Sequence, residues 1–198
     1  MTDARPPEPA DGRLLAQFAA GDREAARLLT LRHGPRIHAL ARRMLGDAAE
    51  AEDVTQETML RLWRIAPDWQ PGEAAVTTWL YRVASNLCID RLRRRRERTM
   101  AVLPDRADPA PAPVERIAAR DRAAALEAAL ADLPDRQRLA VVLRHLDERP
   151  NPEIAEILGT SVEAVESLVA RGRRALIARL APRAEDLGYA NAYGEGGG

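Results

Sequence analysis

Residues 78–98 read TWLYRVASNLCIDRLRRRRER, and their pattern decides how the rest of the chain is organised. Leu80, Val83, Ala84, Leu87 and Cys88 recur at three- and four-residue spacing, which makes one apolar face on a helix. Trp79, Arg82, Asn86, Asp90 and Arg93 fall on a second stripe, so an indole, an amide and several charges share one surface. The stretch ends in cations: Arg91, Arg93, Arg94, Arg95, Arg96 and Arg98 face only Glu97. Such density suits a phosphate backbone, with a solvated charge run as the alternative.

The composition around this helix narrows the possibilities. The chain has 198 residues, 46% of them hydrophobic, enough to build one or two cores. Thirty basic residues balance 30 acidic ones, yet acids crowd residues 47–57 while bases crowd 91–98 and 171–179. Every one of these cations is an arginine, able to grip phosphate or a guanine edge bidentately, although a GC-rich genome explains the bias equally well. No apolar run approaches the roughly 20 residues that span a bilayer, and the start, MTDARPPEPADG, lacks an apolar signal. A cytoplasmic protein without membrane insertion is expected. Cys88, the single cysteine, reads as a buried thiol. His33, His38 and His145 lack partners at ligand spacing, so neither metal nor cofactor is expected. No nucleophile–base pair suggests an enzyme.

Upstream, residues 1–10 are Pro-rich and read as disordered. Leu14, Leu15 and Phe18 predict a helix from Asp11, and Asp22 caps a second that Gly34-Pro35 should interrupt. Ile37, Leu40, Ala41 and Met44 continue the spacing to Gly46, a stop. From Asp47 to Ile65 five acids precede Met59, Leu62 and Trp63, more than capping requires, which suggests a basic docking partner. Residues 67–72 form a loop whose Trp69 is either a plug over the core or a stacking surface.

Downstream, residues 99–113 hold four prolines and read as a linker. Helices are expected over Val114–Leu133 and from Asp135 through Leu146. Asn151 can cap a further helix, Pro152 suits its first position, and Gly159 turns the chain. Thr160 or Ser161 then caps the next helix, Thr160 standing in capping-box spacing with Glu163. Ala155, Gly159 and Val165 occupy the close-contact and turn positions of a helix-turn-helix. Its outward face carries Val162, Glu163, Glu166, Ser167 and Ala170, then Arg171, Arg173 and Arg174. The expected fold is all-α: two small helical domains joined by a flexible Pro-rich segment.

AEDVTQETMLRLWR (51–64), TWLYRVASNLCIDRLRR (78–94) and LPDRQRLAVVLRHLDERPNPEIAEILGTSVEAVESLVARGRRAL (133–176) stand in a telling order and separation. The set resembles the bacterial extracytoplasmic-function (group 4) RNA polymerase sigma factors of the sigma-70 family, and the likeness covers nearly the whole chain. It implies a region 2 domain over 11–98, a linker over 99–113, a region 4 domain over 114–182 and a flexible tail over 183–198. The function implied is an alternative sigma factor that binds core RNA polymerase through its β′ clamp helices and β subunit, melts promoter DNA, and is held inactive by an anti-sigma factor. Core docking falls on Asp53, Gln56, Glu57, Leu60 and Trp63. Capture of the minus-10 element falls on Trp69, Gln70, Gly72, Trp79, Arg82, Asn86, Asp90, Arg91 and Arg94, with Asp90 and Arg94 bracing the helix at i and i+4. Minus-35 reading falls on Thr160, Ser161, Val162, Glu163, Glu166, Ser167, Arg171, Arg173 and Arg174. The chain departs from the commonest pattern in lacking a basic residue near Glu166. Two other readings stay open: a stand-alone helix-turn-helix regulator, and a sigma mimic that sequesters an anti-sigma protein without touching DNA.

Overall fold

The structure, a computed structural model, describes residues 10–70, 75–101 and 117–183, and every regular element among them is helical. The expectations for residues 1–9, 102–113 and 184–198 lie outside the described residues.

Four helices form the first unit: α1 (Asp11–Ala19), α2 (Arg23–Leu45), α3 (Ala48–Ile65) and α4 (Val76–Ala101). Asp22 begins α2 by accepting from the Glu24 amide at 2.9 Å, and Asp47 does the same for Glu50 at 2.8 Å in α3. The break expected at Gly34-Pro35 does not occur, and α2 runs through both residues. Pro35 is exposed, whereas Leu29, His33, Ile37, Leu40 and Met44 are buried on the opposite side. A proline inside a helix costs about 3 kcal/mol. Leu29, Ile37, Leu40 and Met44 each contribute roughly 1.5–3 kcal/mol by burial, so packing prevails. α2 is the central element, touching α1, α3 and α4.

Along α4, Leu80, Ala84 and Cys88 are buried as their spacing predicts, with Val83 and Leu87 half-buried. Tyr81 and Ser85 are buried as well, because a second unit covers that side. The helix also outlasts its expected end at Arg98: Thr99 Oγ1 donates back to the Arg95 carbonyl at 2.9 Å and the chain stays helical to Ala101.

The second unit comprises α5 (Ile117–Ala131), α6 (Asp135–Val141), α7 (Asn151–Leu158) and α8 (Val162–Leu180). The helix expected through Leu146 changes pitch after Val141 into a π-helical turn over Val142–Leu146. The Asp147 amide donates to Val142 O and the Arg149 amide to Leu143 O, which widens the last turn and leaves Glu148 at φ 54°. Asn151 does not cap α7: its side-chain oxygen has no hydrogen-bond partner, and Pro150 holds the capping position. Ser161, not Thr160, caps α8, its Oγ accepting from the Ala164 amide at 3.2 Å. Gly159 makes the intervening turn at φ 59°, a backbone conformation that favours glycine.

α6 and α8 pack closely at Gly172. A Cβ there would stand 2.5 Å from Val141 Cγ2, so only glycine admits this approach.

The two units pack against each other, α4 on α7 and α2 on α5 and α6. Arg138, 5% exposed, donates to the carbonyl of Met44 at the end of α2. Arg95 donates to the neighbouring Leu45 carbonyl at 3.3 Å.

Candidate polymerase- and nucleic-acid-binding surfaces

The acidic side of α3 is open to solvent. Asp53 is 65% exposed and meets Arg91 Nη1 at 3.4 Å, a pair worth at most about 1 kcal/mol and readily exchanged for a partner's cation. Gln56 donates to Glu52 Oε1 at 3.3 Å. Glu57 accepts from Arg61 Nε at 2.7 Å, and this hydrogen bond lowers its carboxyl pKa from the ordinary value. Leu60 is 48% exposed, unusual for a large apolar side chain and therefore informative. Trp63 differs from the other four. Its ring lies 4.7 Å from that of Phe18, half-buried, so it supports α3 from behind.

Between α3 and α4 runs a groove of about 430 Å3, with Leu60 and Leu87 among its apolar lining, Asp53, Gln56 and Glu57 from α3, and Asp90, Arg91 and Arg94 from α4. Arg91 also reaches the Glu50 carbonyl at 3.5 Å. Three residues expected in the minus-10 set thus stand with the α3 acids. Asp90 pairs with Arg93, three residues on, at 3.1 Å and not with Arg94, which lines the groove beside the α3 acids.

The other end of α4 carries the aromatic residues. Trp69 follows a 3-10 turn (Ala66–Asp68) and meets Trp79 edge-on, with centroids 6.1 Å apart at 85°. Both rings are half-buried, so each keeps accessible surface. Gln70 and Asn86 are exposed, and Gly72 lies outside the described residues. Arg82 is exposed, yet donates through Nε and Nη2 to the Glu156 carbonyl of α7 at 3.1 and 2.7 Å.

The arginine run is partly consumed inside the protein. Arg95 pairs with Glu50 at 3.1 Å, and Arg96 pairs with Asp135 of α6. Neither a fully solvated run nor a wholly free phosphate-binding one describes it.

On α8, Glu163, Glu166, Ser167, Arg171, Arg173 and Arg174 are exposed, while Thr160 and Val162 are half-buried. Arg171 Nε donates to the Ser167 carbonyl at 3.1 Å. Hydrogen bonds from its own amide and from Ser161 lower the carboxyl pKa of Glu163, the behaviour of a residue that completes the helix N-terminus.

Sequence reading missed Tyr81, Arg43, Asp147 and Arg149. Tyr81 shares the three- and seven-residue spacing to Ala84 and Cys88 that marks the buried face, and that signal was available. Asp147 and Arg149 sit in a short charged segment whose partners are distant in sequence, so no local pattern reveals them. No described helix is long and apolar enough to cross a membrane.

Residues 29–98 match the Sigma-70 region 2 family and residues 123–176 match Sigma-70, region 4. The chain is 38% identical over 184 residues to the ECF RNA polymerase sigma factor SigM of Mycobacterium tuberculosis, covering 93% of this chain and 88% of that protein. It is 39% identical over 152 residues, 75% of this chain, to the ECF RNA polymerase sigma factor SigE of Mycolicibacterium smegmatis, of which it spans 58%. It superposes with a TM-score of 0.68 and 29% identity on CnrH, solved in complex with the cytosolic domain of CnrY, over 88% of this chain and 99% of that one.

Proposed function

Since the chain belongs to the extracytoplasmic-function RNA polymerase sigma factors of the sigma-70 family, we propose that it gives core RNA polymerase its promoter specificity through three surfaces. The α3 groove docks on the β′ clamp helices, with Asp53, Gln56, Glu57 and Leu60 as the contact and Trp63 as its support. Trp69, Gln70, Gly72, Trp79, Arg82 and Asn86 hold the opened minus-10 strand, while Asp90, Arg91 and Arg94 join that surface to the docking groove. The exposed side of α8 reads minus-35 DNA through Glu166, Ser167, Arg171, Arg173 and Arg174, with Thr160, Ser161, Val162 and Glu163 setting its N-terminal end.

The energetics are consistent with this division. Extruding a base costs a few kcal/mol of stacking. Base–aromatic stacking returns about 1–3 kcal/mol per base, so Trp69 and Trp79 together match the loss of one or two bases. The observation that carries the reading is α4 itself: Arg91 ties it to the acidic groove, Trp79 stands in its first turn, and exposed Asn86 lies between them. One rigid helix can thereby couple polymerase docking to strand capture.

The functional domains are residues 11–98 and 114–182, acting in the cytoplasm, and the chemistry of transcription remains with the polymerase. CnrH was solved in complex with the cytosolic domain of CnrY, and for this chain the protein partner is an anti-sigma factor that holds it inactive. Single-round transcription with purified core polymerase and genomic template tests the assignment. Promoter-specific initiation is expected, and its absence together with no core binding overturns the reading.

A further inference from the structure

Glu163, Glu166, Ser167, Ala170 and Arg174 are all exposed on α8 and recur at three- and four-residue spacing, while Val165 and Gly172 are buried on the opposite side. In a helix laid into the major groove, the residues of the N-terminal turns meet the base edges. Two carboxylates stand there, and they differ. That of Glu163 is occupied, accepting from its own amide and from Ser161 at the start of the helix. Glu166, in the second turn, makes no hydrogen bond or ion pair among the described residues. Its neighbours one turn away along the helix are Val162, Glu163, Val169 and Ala170, none of them a cation. Glu163 even carries the same charge, which is unfavourable between neighbours on a helix. Nothing described within the protein gives the Glu166 carboxylate a partner.

An ionised carboxylate can only accept hydrogen bonds. In the major groove guanine presents two acceptors, N7 and O6, and thymine presents O4 and a methyl group. Adenine offers the N6 donor beside the N7 acceptor, whereas cytosine offers the N4 donor with no acceptor of its own. An acceptor-only side chain is therefore opposed at guanine and thymine, half-opposed at adenine and matched at cytosine. Its negative charge also repels phosphates, so it weakens binding to every sequence and recovers affinity at one base, which is how discrimination by repulsion works. Arg171, Arg173 and Arg174, further along the same helix, supply the general attraction that offsets this repulsion. Ala170, one turn on, presents only a methyl group and does not compete for the cytosine donor.

We propose that Glu166 is a specificity-determining residue: its carboxylate accepts from N4 of one cytosine in the minus-35 element and rejects the other three bases at that position. This deepens the assignment of α8 to minus-35 DNA and rests on it. Glu163 takes no part, because its carboxylate completes the start of the helix.

Holoenzyme assembled from core polymerase and the full-length chain, offered promoter fragments randomised across the minus-35 element, tests this when the bound DNA is sequenced. Wild type should select cytosine at one position by at least about fivefold over each other base, the lower end for a specific base contact. E166A should lose selectivity at that position alone. The full-length E166A chain should also bind unrelated duplex severalfold more tightly than wild type, a gain that removal of a merely structural side chain would not produce. E166Q should move the preference towards adenine, whose N6 and N7 suit an amide. N4-methylcytosine at the selected position keeps the base pair but caps the groove-facing N–H, and it should weaken wild type without weakening E166A. If E166A keeps the wild-type preference at every position, the base contact is overturned and Glu166 is left to a protein partner. Wild type that selects a minus-35 sequence without cytosine at any position altered by E166A overturns it as well, with the sigma assignment intact. Wild type that binds core yet selects no minus-35 sequence defeats the assignment of α8, and this proposal with it.

Discussion

Gly172→Ala places one methyl group where the structure has no room for it. The added carbon would lie 2.5 Å from Val141 Cγ2 and 3.3 Å from the Gln137 carbonyl oxygen. Val141 is 3% exposed and β-branched, so it has essentially one good rotamer in a helix and cannot turn aside. The conflict is therefore relieved by moving α8 from α6, at the roughly 1–3 kcal/mol typical of an overpacked core. Against this stands alanine's intrinsic helix preference over glycine, about 1 kcal/mol. The 2.5 Å conflict with a side chain that cannot turn aside puts the cost at about 2–3 kcal/mol, the upper part of that range, so overpacking prevails and the net loss is about 1–2 kcal/mol, or roughly 2–8 °C in melting temperature for a chain of this size. Val141→Ala reopens the space, so G172A/V141A should be more stable than the two single losses added together, with a coupling of at least about 1 kcal/mol. Urea unfolding of the four proteins measures all of this, and minus-35 duplex binding should weaken in G172A and recover in the double variant. An alanine at 172 as stable as glycine or more so, with additive behaviour towards V141A, would refute the reasoning.

Three other outcomes follow from the same geometry. W79A/N86A should impair open-complex formation by about 5- to 150-fold, from about 1–3 kcal/mol of lost stacking, while initial promoter binding changes little; equal losses in permanganate footprinting and in binding count against the assignment. D53R reverses a charge on the exposed α3 groove and should weaken core polymerase binding severalfold, which a fluorescence titration reads directly. Asp11 accepts from Arg32 and from His33, the latter at 2.9 Å. Burial alone would raise its carboxyl, but these hydrogen bonds outweigh it and hold the pKa at about 2, below 3.8. A depressed pKa stabilises the fold above pH 4 and loses its effect as pH falls towards 2. The stability gap between wild type and D11N, at most about 2 kcal/mol and less after solvent screening, should be flat from pH 7 to 4 and close below it in acid-unfolding experiments.

Much of the helical order was legible because apolar spacing survives in a single sequence. Leu80, Ala84 and Cys88 lie buried where their period put them, and the helix-turn-helix around Gly159 turns where expected. The errors have distinct physical origins. Gly34-Pro35 looked like a stop because local rules omit the burial on both sides of Pro35. The π-helical turn depends on hydrogen bonds just beyond the end of α6, a balance that residue identities in Val142–Leu146 do not announce. At the candidate surfaces, the sequence singled out Asp53 and Asn86, which are exposed, and Trp79, which is half-buried, but it could not sort the arginines. Arg95 and Arg96 look identical to Arg93 and Arg94 in sequence. Only tertiary structure gives the first two partners at Glu50 and Asp135.

The carbonyl of Met44 accepts a guanidinium from the other unit, which makes that one atom a natural reporter. Methionine is scarce in this chain, with four residues in all, so labelling methionine carbonyls with carbon-13 gives a sparse spectrum. When the two units part, the Met44 oxygen exchanges Arg138 for water, and its carbonyl frequency and chemical shift must move. A label placed by ordinary biosynthesis can therefore report on the contact between the two units without any mutation or dye.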